Sequence, residues 1–420
     1  MRTTQALLPG ATFEGEKLLA PHQAVLAFRA RVPLRPPGVE HVTLADAFGR
    51  VLAEDAVARE PHPADPRSMM DGFAIRLADG PGPRAIGPAI RMGAAPPRPL
   101  EPGEAMRIPT GGVLPDGADA VIPIEDVVEE DGTIALHALP APHEYVTARG
   151  SDIALGDHVI AAGRRLGGPE LGVLATLGIA SVPVFRRPRV AIISTGDELV
   201  DAASTPARGQ IRDSNRYAIA GTLAALGAEP LQLAHAGDTI EVLRARIAEG
   251  LERADAVMLT GGSSVGERDL TPDAVESFDG PGVIVHGLRV KPGKPTVLAA
   301  IGAKPVIGLP GNPTSALTIL EAVVAPLIAD LTGEIGRRAT TVAAVAGVPF
   351  DGRPGWTWFV PATLEHGPDG TDVVRPLRIQ SAHASLLARA AGYVVLGEDR
   401  AHIAAGEAVT LVRFAAGGVR

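Results

Sequence analysis

The chain contains no cysteine. Disulfides, thiolate nucleophiles and cysteine-based zinc or iron–sulfur sites are excluded, and the composition suits a reducing compartment. Aromatic residues make up only 3% of the sequence, too few for a nucleic-acid surface built on base stacking. The formal net charge of −9 offers no global attraction to DNA, RNA or anionic lipid. No uninterrupted apolar stretch is read as approaching the length of a membrane span. Met1 to Gly15 mixes Arg, Glu, Pro and Gly and lacks the apolar centre of a signal peptide. The expectation is a soluble cytoplasmic protein with no nucleic-acid or membrane partner.

At 420 residues the chain exceeds one ordinary core, so two to four domains are expected. Pro21 to Ala30 reads as a helix, Glu40 to Leu44 as a strand and Ala45 to Val51 as a short helix. Pro61, Pro63 and Pro66 then interrupt any regular element. From Ala64 to Ala148 short apolar pieces alternate with Gly and Pro: Phe73 to Ile75, Ala89 to Met92, Ala105 to Ile108 and Ala120 to Ile124. This pattern predicts a small β domain. Helical pattern returns at Gly168 to Thr176, so the β domain is read as an insertion into the first domain.

Pro188 to Gly333 alternates strand and helix signals. Strands are predicted at Arg189 to Thr195, Pro230 to Ala234, Ala256 to Thr260, Gly282 to Gly287, Thr296 to Ala300 and Lys304 to Leu309. Helices are predicted at Ser214 to Leu226, Ile240 to Arg253 and Thr314 to Leu331, with Ser214 and Thr314 as caps. This order argues a mostly parallel α/β sheet with helices on both faces. From Arg338 onward short strand signals return and predict a C-terminal β barrel or sandwich. The expected division is 1–63 with 149–187, 64–148, 188–336 and 337–420.

Three loops follow strands in the α/β region: Ser194-Thr195-Gly196-Asp197-Glu198-Leu199, Thr260-Gly261-Gly262-Ser263-Ser264-Val265-Gly266, and Leu309-Pro310-Gly311-Asn312-Pro313-Thr314. Glycines allow close backbone approach to an anion, and a helix N-terminus favours one. Any one such loop is most simply a solvated turn. Three at the C-terminal ends of strands in one parallel sheet converge on the edge where ligands bind. No Rossmann glycine fingerprint is present. Lys291-Pro292-Gly293-Lys294-Pro295 is not a Walker loop, because Pro follows the lysine, but its two lysines suit phosphate as point charges. The carboxylates Asp197, Glu198, Asp213, Asp238 and Asp269 suit a hard cation such as Mg²⁺. Asp213 and Asp238 also read as helix-starting residues.

The chain resembles the molybdopterin molybdenumtransferase (MoeA) family, which is related to the C-terminal domain of gephyrin. The resemblance rests on the Ser194 to Leu199 segment, Asp213-Ser214-Asn215, the loop from Gly261 to Asp269, Lys291 to Pro295 and Pro310 to Pro313. Earlier in the chain it rests on Met70-Asp71-Gly72-Phe73-Ala74, Arg107-Ile108-Pro109-Thr110-Gly111 and Arg149-Gly150-Ser151-Asp152-Ile153. It implies a four-part architecture and a homodimer acting on adenylylated molybdopterin and molybdate, with AMP released and Mg²⁺ assisting. Carried over by motif, Glu198, Asp197, Asp71 and Thr110 are catalytic, with Glu198 and Asp197 as the Mg²⁺ carboxylates. Asp269, Asp238, Ser263, Ser264, Gly261, Gly262, Lys291, Lys294, Pro310 and Asn312 contact the substrate. A separate molybdopterin adenylyltransferase is implied as a partner. Asp65-Pro66-Arg67-Ser68-Met69 departs from the family's usual Asp-Asn-Ser-Ala run. Two other outcomes remain open: a tungsten-inserting paralogue, and a non-catalytic gephyrin-like scaffold.

Overall fold

A computed structural model describes residues 12–13, 16–136, 138–261, 270–368, 370–377 and 385–415. The chain divides into two compact units. One holds residues up to Glu40, Gly49–Ala53 and Val184 onward, and the other holds His41–Phe48 and Glu54–Pro183.

The second unit is built on a six-stranded sheet. In order across it run Val128–Glu130, Thr133–Leu136, Gly82–Ile86, Glu104–Ile108, Gly72–Ile75 and Ala120–Pro123. Phe73, Ile75, Ile122 and Ile134 fill one apolar cluster, and Met106, Ile108, Leu114 and Val121 fill another. The predicted strand at Ala89 to Met92 does not form. Pro88 precedes it and Gly93 follows at φ +72, so only Ile90 N–H reaches across, to Arg107 O at 2.9 Å. The predicted helix at Ala45 to Val51 shrinks to one 3₁₀ turn, Leu44–Asp46. Gly49 takes φ +72, a left-handed conformation that ends helical winding.

The first unit contains the α/β sheet. Its elements are β1 (Arg189–Ser194), α1 (Asn215–Ala225), β2 (Glu229–Gln232), α2 (Ile240–Arg253), β3 (Ala256–Thr260), α3 (Leu270–Glu276), β4 (Gly282–His286), β5 (Val297–Ile301) and β6 (Lys304–Leu309). The order across the sheet is β2-β1-β3-β6-β5-β4. β2, β1, β3 and β6 pair in parallel, while β5 is antiparallel to both its neighbours. The predicted mostly parallel sheet is therefore present, with one reversed strand.

Alternation along β1 explains the layers. Val190 and Ile192 join Ile219 and Leu223 of α1, and Phe28 of the N-terminal helix Pro21–Arg31, on one face. Ala191 and Ile193 join Leu243 and Ile247 of α2 on the other. A strand covered on both faces must be apolar throughout, which is why this run carries no alternation in its sequence. Thr239 caps α2, accepting from Val242 N–H at 3.4 Å. Gly250 lets α2 approach the sheet, since a Cβ there would lie 2.9 Å from Val257.

The last helix of this layer, α4 (Pro313–Thr332), winds as an α-helix to Ile319, as a π-helix over Leu320–Val324 and as an α-helix again from Ala325. Pro326 has no N–H to give the carbonyl four residues back, and the wider turn accommodates that loss. Asn312 occupies the cap position with Pro313 first in the helix, displacing the predicted Thr314 cap. By length and composition α4 could cross a membrane, contrary to the sequence reading. Its apolar window is 72% buried inside the protein, against the sheet.

The C-terminal strands Thr341–Ala346, Thr357–His366, Asp372–Pro376, Gly392–Leu396 and Ala408–Arg413 close into a β barrel. Thr357–His366 pairs with both Asp372–Pro376 and Gly392–Leu396, which removes the open edge. The two-residue strand Val290–Lys291 adds to this barrel alongside Thr357–Trp358.

Candidate functional site

Parallel pairing of β1, β3 and β6 brings their C-terminal ends side by side, and the described residues that open the three predicted loops meet there. Gly261 is the contact point. It takes φ +115, and a Cβ on it would sit 2.2 Å from Thr195 O and 2.5 Å from Thr195 Oγ1. A Cβ on Gly311 would lie 3.3 Å from Gly261 Cα. Thr195 N–H donates to Thr260 O at 2.9 Å. Asn215, in the first turn of α1, fastens the second and third loops together. Its amide donates to Thr260 Oγ1 at 2.8 Å and to Gly311 O at 2.7 Å.

A cleft of about 280 Å³ opens above this junction. Thr195, Glu198, Asp213, Asn215, Gly261 and Asn312 are among its lining residues. Thr195 is 6% exposed, Asp213 4% and Asn215 8%. Even so, Thr195 Oγ1, Asp213 Oδ2 and Asn215 Oδ1 make no hydrogen bond among the described residues. Asp213 Oδ1 accepts from Arg216 N–H at 3.2 Å, and the Arg216 guanidinium lies 3.8 Å from Oδ2. Ser214 holds the cap position of α1 but makes no capping bond, so Asp213 serves in its place. Buried polar atoms are ordinarily paired. Three unsatisfied ones lining one cleft mark a surface that a ligand completes.

The sequence-predicted residues fall into several groups. Glu198, Gly261 and Asn312 line the cleft. The Glu198 carboxylate folds back over Gly196, where a Cβ would meet it at 2.5 Å. Asp197 and Asp238 clasp each other: Asp197 N–H donates to Asp238 Oδ2 at 3.3 Å, and Asp238 N–H to Asp197 Oδ1 at 3.2 Å. Pro310 is buried, and its carbonyl lies 3.4 Å from Thr260 Oγ1. Lys291 is exposed and Lys294 half-buried; neither is among the lining residues. Gly262, Ser263, Ser264 and Asp269 lie outside the described residues. Thr195, Asn215 and Thr260 were not among the predicted site residues, and Asp213 was read only as one of five carboxylates suited to a hard cation and as a helix start. The available signal was a hydroxyl residue closing two adjacent apolar runs, followed by an Asp and an Asn at the entry to a helix.

Asp71 and Thr110 belong to the second unit, Asp71 immediately before the strand Gly72–Ile75 and Thr110 two residues beyond the end of its antiparallel neighbour Glu104–Ile108. Thr110 donates both its N–H (2.7 Å) and its hydroxyl (2.9 Å) to Asp71 Oδ1. These two bonds, the backbone one first, hold the Asp71 carboxyl below its usual pKa. Thr110→Val keeps the N–H and removes the hydroxyl. It is expected to raise the Asp71 pKa toward the ordinary carboxylate value, measured by NMR titration of the carboxyl carbon. An unchanged pKa would mean that the hydroxyl bond is not made in solution.

Residues 19–178 match the MoeA N-terminal region (domain I and II), 191–330 a probable molybdopterin binding domain, and 343–414 the MoeA C-terminal region (domain IV). The molybdopterin molybdenumtransferase of Haemophilus influenzae is 34% identical over 384 residues, covering 90% of this chain and 95% of that protein. The chain belongs to the MoeA family. The molybdopterin molybdenumtransferase of Bacillus subtilis is 32% identical, with 85% of each chain covered. The structure of the molybdopterin biosynthesis MoeA protein from Pyrococcus horikosii superposes with a TM-score of 0.78 at 32% identity, covering 95% of this chain and 99% of that one.

In this MoeA-family chain no group of three or more Asp, Glu, His or Cys residues is placed to hold a metal among the described residues. Mg²⁺ does not require one, because it keeps several waters and is commonly held by one or two carboxylates with substrate phosphates. Glu198 and the unsatisfied Asp213 Oδ2 both line the cleft, and as oxygen donors they fit that chemistry. Asp197, engaged with Asp238, fits it less well.

Proposed function

We propose that this protein is an enzyme that transfers molybdenum from molybdate to adenylylated molybdopterin, releasing AMP. The observation that carries the reading is the strand-end cleft with three buried polar atoms that make no hydrogen bond among the described residues, in a chain of this family. The substrate offers two kinds of group. Its anhydride and the oxyanion need N–H donors and cations, which the glycine loops and the lysines Lys291 and Lys294 supply. Its heterocycles carry N–H donors, which the amide oxygen Asn215 Oδ1 can receive.

Glu198 is the catalytic carboxylate of this reading. A carboxylate beside an anionic substrate repels it, so its task is to orient water or to hold Mg²⁺ together with Asp213. When bound, Mg²⁺ would neutralise charge on the phosphate oxygens. Asp197 and Asp238 steady the turn that carries Glu198. The reading includes the four-part division of the chain, a cytoplasmic homodimer in which Asp71 and Thr110 of one subunit complete the site of the other, and a separate adenylyltransferase supplying the substrate.

Purified protein mixed with adenylylated molybdopterin, Mg²⁺ and molybdate is expected to release AMP only when the oxyanion is present. Faster release with tungstate would assign the tungsten reaction instead, and no release with either would overturn the reading.

A further inference from the structure

Two lysines of the Lys291–Pro295 turn carry the phosphate-binding part of the proposed function, yet Lys291 makes no ion pair among the described residues. Its one charge contact is with an aromatic ring: Nζ lies 4.3 Å from the centroid of Trp358. Register produces this contact. Val290 and Lys291 pair in parallel with Thr357 and Trp358, and Thr357 N–H donates to Arg289 O at 3.1 Å, so lysine and indole are laid side by side.

The backbone around Lys291 has little freedom. Leu288 N–H donates to Lys294 O at 2.8 Å, and the buried Thr296 hydroxyl donates to Gly293 O at 2.7 Å. Gly293 takes φ +106 and lies against α4, where a Cβ would meet Ile319 at 2.2 Å. The remaining freedom is that of the lysine side chain, the kind of freedom that is lost when a ligand is bound. The acid that pairs with Arg289, two residues before Lys291, is also occupied. Arg289, 8% exposed, forks onto Glu398 with its Nη2 2.8 Å from both carboxylate oxygens. A carboxylate partner would neutralise Lys291. An aromatic face attracts the ammonium without neutralising it and leaves its N–H donors for an anion.

We propose that Trp358 is a positioning residue for Lys291: the indole holds the ammonium in place, still charged, for a phosphate group of the substrate. This rests on the function proposed above. Inorganic pyrophosphate serves as a probe independent of turnover. Trp358→Leu keeps apolar bulk without the ring's charge distribution, and Trp358→Phe keeps a weaker version of it. Trp358→Leu is expected to weaken pyrophosphate binding by calorimetry, and to raise KM for adenylylated molybdopterin, by roughly threefold to tenfold. The kcat is expected to stay within about twofold, with Trp358→Phe recovering most of the loss. In a Lys291→Met background the Leu substitution is expected to have no further effect on either quantity.

Equal losses in the Leu and Phe variants, a Leu effect that persists without Lys291, or wild-type protein that does not bind pyrophosphate would each overturn the proposal. Coupling between Lys291 and Trp358 in pyrophosphate binding by a protein that releases no AMP would support the positioning role while overturning the molybdenum-transfer reading.

Discussion

Gly261→Ala is expected to lower stability by about 3 kcal/mol or more and to abolish measurable AMP release. Two costs add. The residue sits at φ +115, a strained conformation for any residue with a side chain, worth about 1–3 kcal/mol. Its new methyl would also stand 2.2 Å from Thr195 O, and overpacking of this kind costs about 1–3 kcal/mol. Thr195 cannot simply retreat, because its N–H is bonded to Thr260 O at 2.9 Å and it directly follows β1, a strand paired on both sides. Relief requires the loops to separate, which opens the floor of the cleft and strains the Asn215 bonds to Thr260 Oγ1 and Gly311 O. Gly311→Ala is the control. Its Cβ would lie 3.3 Å from Gly261 Cα and 3.9 Å from Gly261 N, with no positive φ to strain, and it is expected to cost much less. Thermal melts of the two variants with AMP-release assays separate the cases. A Gly261→Ala protein with wild-type stability and activity would show that the three loops do not pack as described.

Much of this arrangement was legible in the sequence because it depends on local pattern. The apolar runs at Ala256–Thr260 and Lys304–Leu309 and the helix Ile240–Arg253 carry their own boundaries. Three glycine loops following three such runs imply a shared edge once the sheet is parallel. What was not legible depends on partners distant in sequence. Nothing around Asn215 indicates that its amide ties Thr260 to Gly311, 45 and 96 residues away. Nothing in Lys291-Pro292-Gly293 indicates that Lys291 lies against Trp358 of the barrel. The strand expected at Ala89 to Met92 had the right composition, but Pro88 and Gly93 deny it a ladder. The reversed strand β5 follows from the short Gly302-Ala303 connection to β6, a two-residue link that only an antiparallel hairpin can use. The motif-level reading located the cleft, while the unsatisfied atoms that define its chemistry emerged only from packing.

Glu198→Gln is expected to reduce AMP release about a hundredfold or more while leaving the fold intact. The side chain is exposed and makes no hydrogen bond to another residue among those described, so losing its charge removes no structural contact. The direction of the binding change discriminates between roles. A carboxylate that merely lies near an anionic substrate raises that substrate's electrostatic cost, so neutralising it would lower KM or leave it unchanged, with kcat preserved. A carboxylate that orients water or holds Mg²⁺ is needed as an anion, and its amide replacement loses turnover while binding persists. General acid–base and metal-assisted contributions of one group are on the order of 10²–10⁴-fold, well outside the range of a surface-charge effect. Asp197→Asn provides the comparison. Its carbonyl oxygen can still accept from Asp238 N–H, now made at 3.2 Å, so the turn is expected to hold and turnover to fall less than with Glu198→Gln. Single-turnover AMP release, measured with pyrophosphate affinity, reads both quantities. A Glu198→Gln enzyme with wild-type turnover would remove this residue from the chemistry and leave the buried Asp213 as the remaining carboxylate for that role among the described residues lining the cleft.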